Sequence, residues 1–84
     1  MNKNQQRTLW QIFERPERSD IPWSKIEGLL AAVGAELSEG RGSRVRVSLN
    51  GVRAVFHRPH PERMTDKGAV KSVRRFLQEA GVTP

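Results

Sequence analysis

His57, His60 and eleven arginines are the side chains of this 84-residue chain best suited to acid–base and phosphate chemistry. Histidine titrates near neutrality, so it can give or take a proton under physiological conditions. Arginine stays protonated and makes a poor base, but its planar fork matches phosphate. The chain has no cysteine. That excludes disulfides, a thiolate zinc site and a thiol nucleophile. Two histidines without cysteine also lack the ligand set of a zinc finger. Neither a metal nor another cofactor is expected.

The charge is unevenly placed. Fifteen Lys plus Arg against nine Asp plus Glu give a net charge of +6. Residues 1–39 carry five bases and six acids, whereas residues 40–84 carry ten bases and three acids. A concentrated positive field attracts nucleic acid or an acidic protein. The bland alternative is a solvated face that keeps a small domain soluble. Hydrophobic residues make up 36% of the chain, enough for one small folded domain with modest stability. The longest apolar run is five residues, 29–33, so no segment is expected to span a membrane. The polar N-terminus lacks a signal-peptide core, and a cytoplasmic location is expected.

The elements that must position these side chains follow from periodicity. Leu9, Ile12 and Phe13 predict a helix over 3–14, with Trp10 broadening its face and Pro16 ending it. Residues 15–23 read as a linker. Ser24 and Glu27 match a capping box for a second helix, with Trp23 as a hydrophobic staple. Ile26, Leu29, Leu30 and Val33 give its apolar stripe, and Gly34 its C-terminal stop. A short strand at 35–39 and a turn at 40–43 follow. Arg44–Leu49 alternates strictly between apolar and polar, Asn50-Gly51 is a two-residue hairpin turn, and Val52–His57 returns. Residues 58–63 form a loop. Thr65 or Asp66 caps a last helix over 67–80, whose apolar stripe is Val70, Val73, Leu77 and Ala80, with Phe76 beside it. Lys67, Lys71, Arg74 and Arg75 are expected on a basic strip away from that stripe.

The turn also sets the register. Leu49 should face Val52, Val47 should face Ala54, and Val45 should face Phe56, all toward the core. The other face then pairs Ser48 with Arg53, Arg46 with Val55, and Arg44 with His57. A one-residue slip would bury the arginines, which is costly. Two helices can cover one face of this antiparallel sheet and leave the other to solvent.

This α-β-β-β-α string resembles the HicA family of bacterial toxins over roughly residues 24–82. The resemblance rests on Gly42-Ser43 opening a strand, on Gly51-Val52-Arg53-Ala54-Val55, and on Arg58-Pro59-His60-Pro61. It continues through Lys67-Gly68-Ala69-Val70-Lys71-Ser72 and the ending Leu77-Gln78-Glu79-Ala80-Gly81-Val82. It implies an α+β fold like a double-stranded-RNA-binding domain, here with an extra N-terminal helix. The expected division is residues 1–22 as helix and linker, and 23–84 as the toxin domain. The resemblance further implies cleavage of mRNA and inhibition by a HicB-like antitoxin. The family's active-site histidine comes immediately or one residue after Gly-Ser, where this chain has Arg44 and Val45.

RNA cleavage without metal needs a base for the 2′-hydroxyl, cationic stabilisation of the phosphorane and an acid for the leaving oxygen. His57, expected opposite Arg44, is the candidate base in place of the missing histidine. The alternative makes it one more polar contact on an RNA-binding face. His60, in the His-Pro pair, either shapes its loop, contacts phosphate or shares in catalysis. Gly42, Ser43, Arg46, Arg53, Arg58, Lys67, Lys71 and Arg75 are the candidate RNA contacts. Trp10 is expected to contact the core or an antitoxin. Three functions remain open on this reading: a toxin endoribonuclease, a module that holds RNA or antitoxin without cleaving, and a nonspecific DNA-binding protein.

Overall fold

A computed structural model describes residues 1–84. Helix α1 spans Lys3–Ile12, and α2 spans Trp23–Ala32. Strands β2 (Glu36–Glu39), β3 (Arg44–Leu49) and β4 (Val52–His57) form a three-stranded antiparallel sheet in the order β2-β3-β4. Helix α3, Lys67–Glu79, closes the chain. A two-residue ladder joins β1 (Ile21–Pro22) to β5 (Met64–Thr65). The fold is α+β, with the α-β-β-β-α arrangement of a double-stranded-RNA-binding domain behind an N-terminal helix.

The hairpin register is the expected one at all six pairs from Arg44↔His57 to Leu49↔Val52. Asn50 (φ 51°) and Gly51 (φ 82°) both take left-handed conformations, as a type I′ turn requires. The Asn50 amide nitrogen also donates to Ala80 O at 2.8 Å, tying the hairpin tip to the end of α3. Val45, Val47, Leu49 and Phe56 point inward and are buried against Ile26, Leu29 and Leu30 of α2 and Val70, Val73, Phe76 and Leu77 of α3. Phe56 sits at the centre, edge-to-face with both Trp23 and Phe76. Helices α2 and α3 end in the same way. Ala35 N–H donates to Leu30 O and Val82 N–H to Leu77 O, across Gly34 and Gly81, so the last carbonyls are satisfied.

Three local expectations fail, two of them for a tertiary reason. Ser24 does not cap α2: the helix starts two residues earlier, its N-cap is Pro22, and no side chain caps it. Trp23 N–H donates to Arg63 O, and its ring is buried at 5% exposure, so packing sets the start of the helix. Glu27 turns instead to Trp23 Nε1 and Arg58. Helix α1 stops at Ile12, with Phe13 as its C-cap, and is capped by a reciprocal Asn2–Gln5 pair. Arg74 is not on an exposed basic strip. It is buried at 3% exposure and donates to Ile12 O, Glu14 O and Glu17 Oε1. Its guanidinium meets the negative, carbonyl end of α1. Together with the buried Leu9 and Ile12 it docks the N-terminal segment on the same core. Asp66, not Thr65, caps α3, accepting from Ala69 N–H at 2.7 Å. Thr65 is buried within β5. No helix is long and apolar enough to cross a membrane.

Candidate functional site

Side chains alternate along β3 and β4, so one face of the hairpin is core and the other is open. On the open face, Arg44, Arg46 and His57 line a cleft of about 440 Å³ with Gly40, Arg41 and Val55. Arg44 and His57 are direct partners across the strands, which places their Cβ atoms roughly 4.5–5.5 Å apart. No carboxylate lines the cleft. Arg46 Nη1 donates to Glu39 O at 3.2 Å, which anchors one edge of its fork over the strand.

The cleft stays cationic because the acids are engaged elsewhere. Arg18, Arg58 and Arg74 bind five of the nine carboxylates: Glu14, Glu17, Asp20, Glu27 and Glu39. Arg41, Arg44, Arg46 and Arg53 make no ion pair. Arg58 immediately follows His57 but turns to the other side of the sheet. Its guanidinium donates to Glu27 of α2 at 2.7 Å and to Glu39 of β2 at 2.6 Å. Hydrogen bonds to Glu39 and then Glu27 hold it firmly protonated, and the same contact holds the Glu39 carboxyl below its usual range. Its main-chain N–H donates to Ser43 O at 2.8 Å. Arg58 thus fastens the end of β4 to the start of β3, to β2 and to α2, and its guanidinium is already occupied.

The other candidates divide by place. Gly42 (φ 59°) and Ser43 form the turn into β3 beside the cleft. Arg53 lies on the same open face, toward the hairpin tip, and lines a second groove with Arg46, Ser38 and Ser48. Arg75 faces Arg53 and His57 across a groove between β4 and α3. His60 is exposed in the loop after β4 and does not line the cleft. Lys67 and Lys71 are exposed on α3. The charge of Lys71 acts on Glu17 in the linker, away from the cleft. Trp10 projects into solvent at 63% exposure, so it is not part of the core.

Sequence reasoning passed over Arg41 and Gly40. Both sat in a segment read only as a turn, and an arginine within a turn that leads into a cationic strand was the available signal. Gly40 has a steric task. A Cβ there would lie 3.0 Å from Arg44 Cβ and 3.3 Å from Arg44 O, while Gly40 N–H donates to that same oxygen at 2.9 Å. A side chain there would need Arg44 to give by a few tenths of an ångström.

A model of the HicA toxin of bacterial toxin–antitoxin systems matches residues 23–82. The chain belongs to the HicA toxin family. Comparison with curated proteins and with solved structures gave no match. The family match covers α2 through α3 and leaves α1 and most of the linker outside. Membership makes the chain a toxin of a toxin–antitoxin system. In this HicA chain, Arg44 holds the position that directly follows Gly42-Ser43.

Proposed function

We propose that this HicA protein binds mRNA across the open face of the β3–β4 hairpin and cleaves it without metal. The observation that carries this reading is the acid-free cleft in which Arg41, Arg44 and Arg46 surround His57. A phosphodiester lying there would meet guanidiniums suited to the doubly charged phosphorane. His57 takes the proton of the 2′-hydroxyl, the 2′-oxygen bonds to phosphorus, and the 5′-oxygen leaves with a proton from solvent. The products are a 2′,3′-cyclic phosphate and a free 5′-hydroxyl. His57 is the nearest imidazole to the place where Arg44 displaces the family histidine, since the two are cross-strand partners.

The same missing histidine favours a second reading, in which the domain holds RNA without cutting it. Labelled RNA incubated with the purified chain, with and without EDTA, separates the two. Cleavage that survives EDTA and leaves cyclic phosphate ends supports the first. Tight retention of intact RNA supports the second, and neither binding nor cleavage rejects both. A HicB-like antitoxin, acting in the cytoplasm, would neutralise the toxin by covering residues 44–60 with carboxylates. Hydrogen exchange on the complex should then protect that segment. Protection confined to α1 would reject this mode of inhibition.

A further inference from the structure

The free edge of β4 adjoins the cationic cleft, with which it shares Val55 and His57. Strand β4 pairs only with β3. Arg58 N–H donates to Ser43 O, and the two-residue turn makes Leu49↔Val52 the closing pair. Residues 52, 54, 56 and 58 therefore direct their main-chain groups to β3. Arg53, Val55 and His57 direct theirs the other way, and no other element pairs with them. Such a row is a template for another strand. Behind it lies a groove of about 460 Å³ between β4 and α3, lined by Ala54, Phe56, Ala69, Ser72 and Phe76. Asp66, Arg75 and Glu79 line it too, so the acids of an added strand must stay on the open face. The small side chains of Ala69 and Ser72 leave room for a chain to lie there.

We propose that this edge takes an extended segment of a protein partner, added antiparallel as a fourth strand with the pattern acid-x-apolar-x-acid. Residues directly opposite one another share a face. The partner's outward side chains therefore meet Arg53, Val55 and His57 in turn. Val55 is 53% exposed and calls for an apolar partner, and Arg53 and His57 call for carboxylates. The intervening x residues turn toward the groove and must be small or apolar. A second copy of the same edge fits poorly. Centred on Val55, it would set Arg53 against His57 twice and supply no carboxylate to either. A strand docked here would lie along His57 and wall off one side of the cleft, so binding would restrict access to it. The proposal stands apart from the RNA reading, because it needs no cleavage and no phosphate.

The probe is a nine-residue synthetic peptide with the core Glu-Ala-Val-Ala-Glu, titrated into the full chain and followed by amide NMR and hydrogen exchange. The expected result is saturable binding with slowed exchange at the amides of Arg53, Val55 and His57. Val55→Pro removes only an edge-facing donor, so the hairpin should persist while peptide affinity falls at least tenfold. Should that variant not fold, Arg53→Glu decides. It should weaken the glutamate peptide at least tenfold and gain affinity for the version carrying Lys at the facing position. No binding at millimolar peptide overturns the proposal. So does binding that ignores both substitutions and maps to Arg41, Arg44 and Arg46, which would make the peptide a mere polyanion. Single-stranded RNA slowing the same three amides would assign the edge to nucleic acid instead.

Discussion

The salt dependence of RNA binding can be worked out from the cleft. Arg41, Arg44 and Arg46 line it, and Arg53 continues the same face. None of the four makes an ion pair, although Glu36 lines the groove that Arg46 and Arg53 share. Three to four phosphate contacts on a single strand give a slope of log affinity against log salt of about −2 to −3. Between 50 and 200 mM salt, affinity should therefore fall about 20- to 50-fold. Arg44→Gln and Arg46→Gln should each make the slope shallower by about 0.7, with the same loss for RNAs of different sequence. Lys71→Gln, on the far side of α3, should leave the slope unchanged, and so should Arg58→Gln in any variant that stays folded. Fluorescence anisotropy with a short labelled RNA at four salt concentrations measures each slope. A slope shallower than about −1 would refute the assignment of these arginines to phosphate. An effect of Lys71→Gln equal to that of Arg44→Gln would move the binding surface to α3.

His57→Ala should cut the cleavage rate roughly a hundredfold or more with little change in RNA affinity. His60→Ala should alter cleavage far less, and if both single variants and the double variant keep full growth inhibition in cells, histidine-based catalysis is wrong. Arg74→Met removes a buried guanidinium from the last carbonyl of α1 (Ile12), from the Glu14 carbonyl just beyond it and from Glu17; it should cost about 2–3 kcal/mol and lower Tm by roughly 10–20 °C, as read by calorimetry. Gly40→Ala asks Arg44 to give by a few tenths of an ångström and should weaken RNA binding only modestly; a loss as large as that of Arg44→Gln would show that the turn, and not the guanidinium alone, sets affinity. Glu17 and Glu39 are held below the usual carboxylate range by Arg74 and Arg58, so their share of stability is complete above the unfolded carboxylate pKa and is lost as pH falls through the lower folded one. Urea midpoints measured from pH 6 down to pH 3 should fall, and Glu39→Gln should flatten that fall.

The hairpin carrying the cleft was legible in the sequence because its rules are local. A two-residue turn and a period of two fix six cross-strand pairs without reference to any other segment, and the Arg44–His57 pairing follows from them. The apolar stripes of α2 and α3 were legible for the same reason. The fate of each remaining charge was not. Arg58 read as a candidate RNA contact, yet its guanidinium is taken by carboxylates from residues 31 and 19 positions away. Arg74 read as solvent-facing from helical spacing, yet it meets an acid 57 positions away and the carbonyl end of a helix the family pattern lacks. Ser24 and Glu27 matched a capping box, but burying Trp23 between Phe56 and the strand ladder outweighed a local cap. Sequence by itself thus determined which arginines share a strand face with His57, since that depends on backbone periodicity. Only the tertiary structure decided which arginines are left without an ion pair, since that depends on which distant carboxylates the packed helices bring within reach.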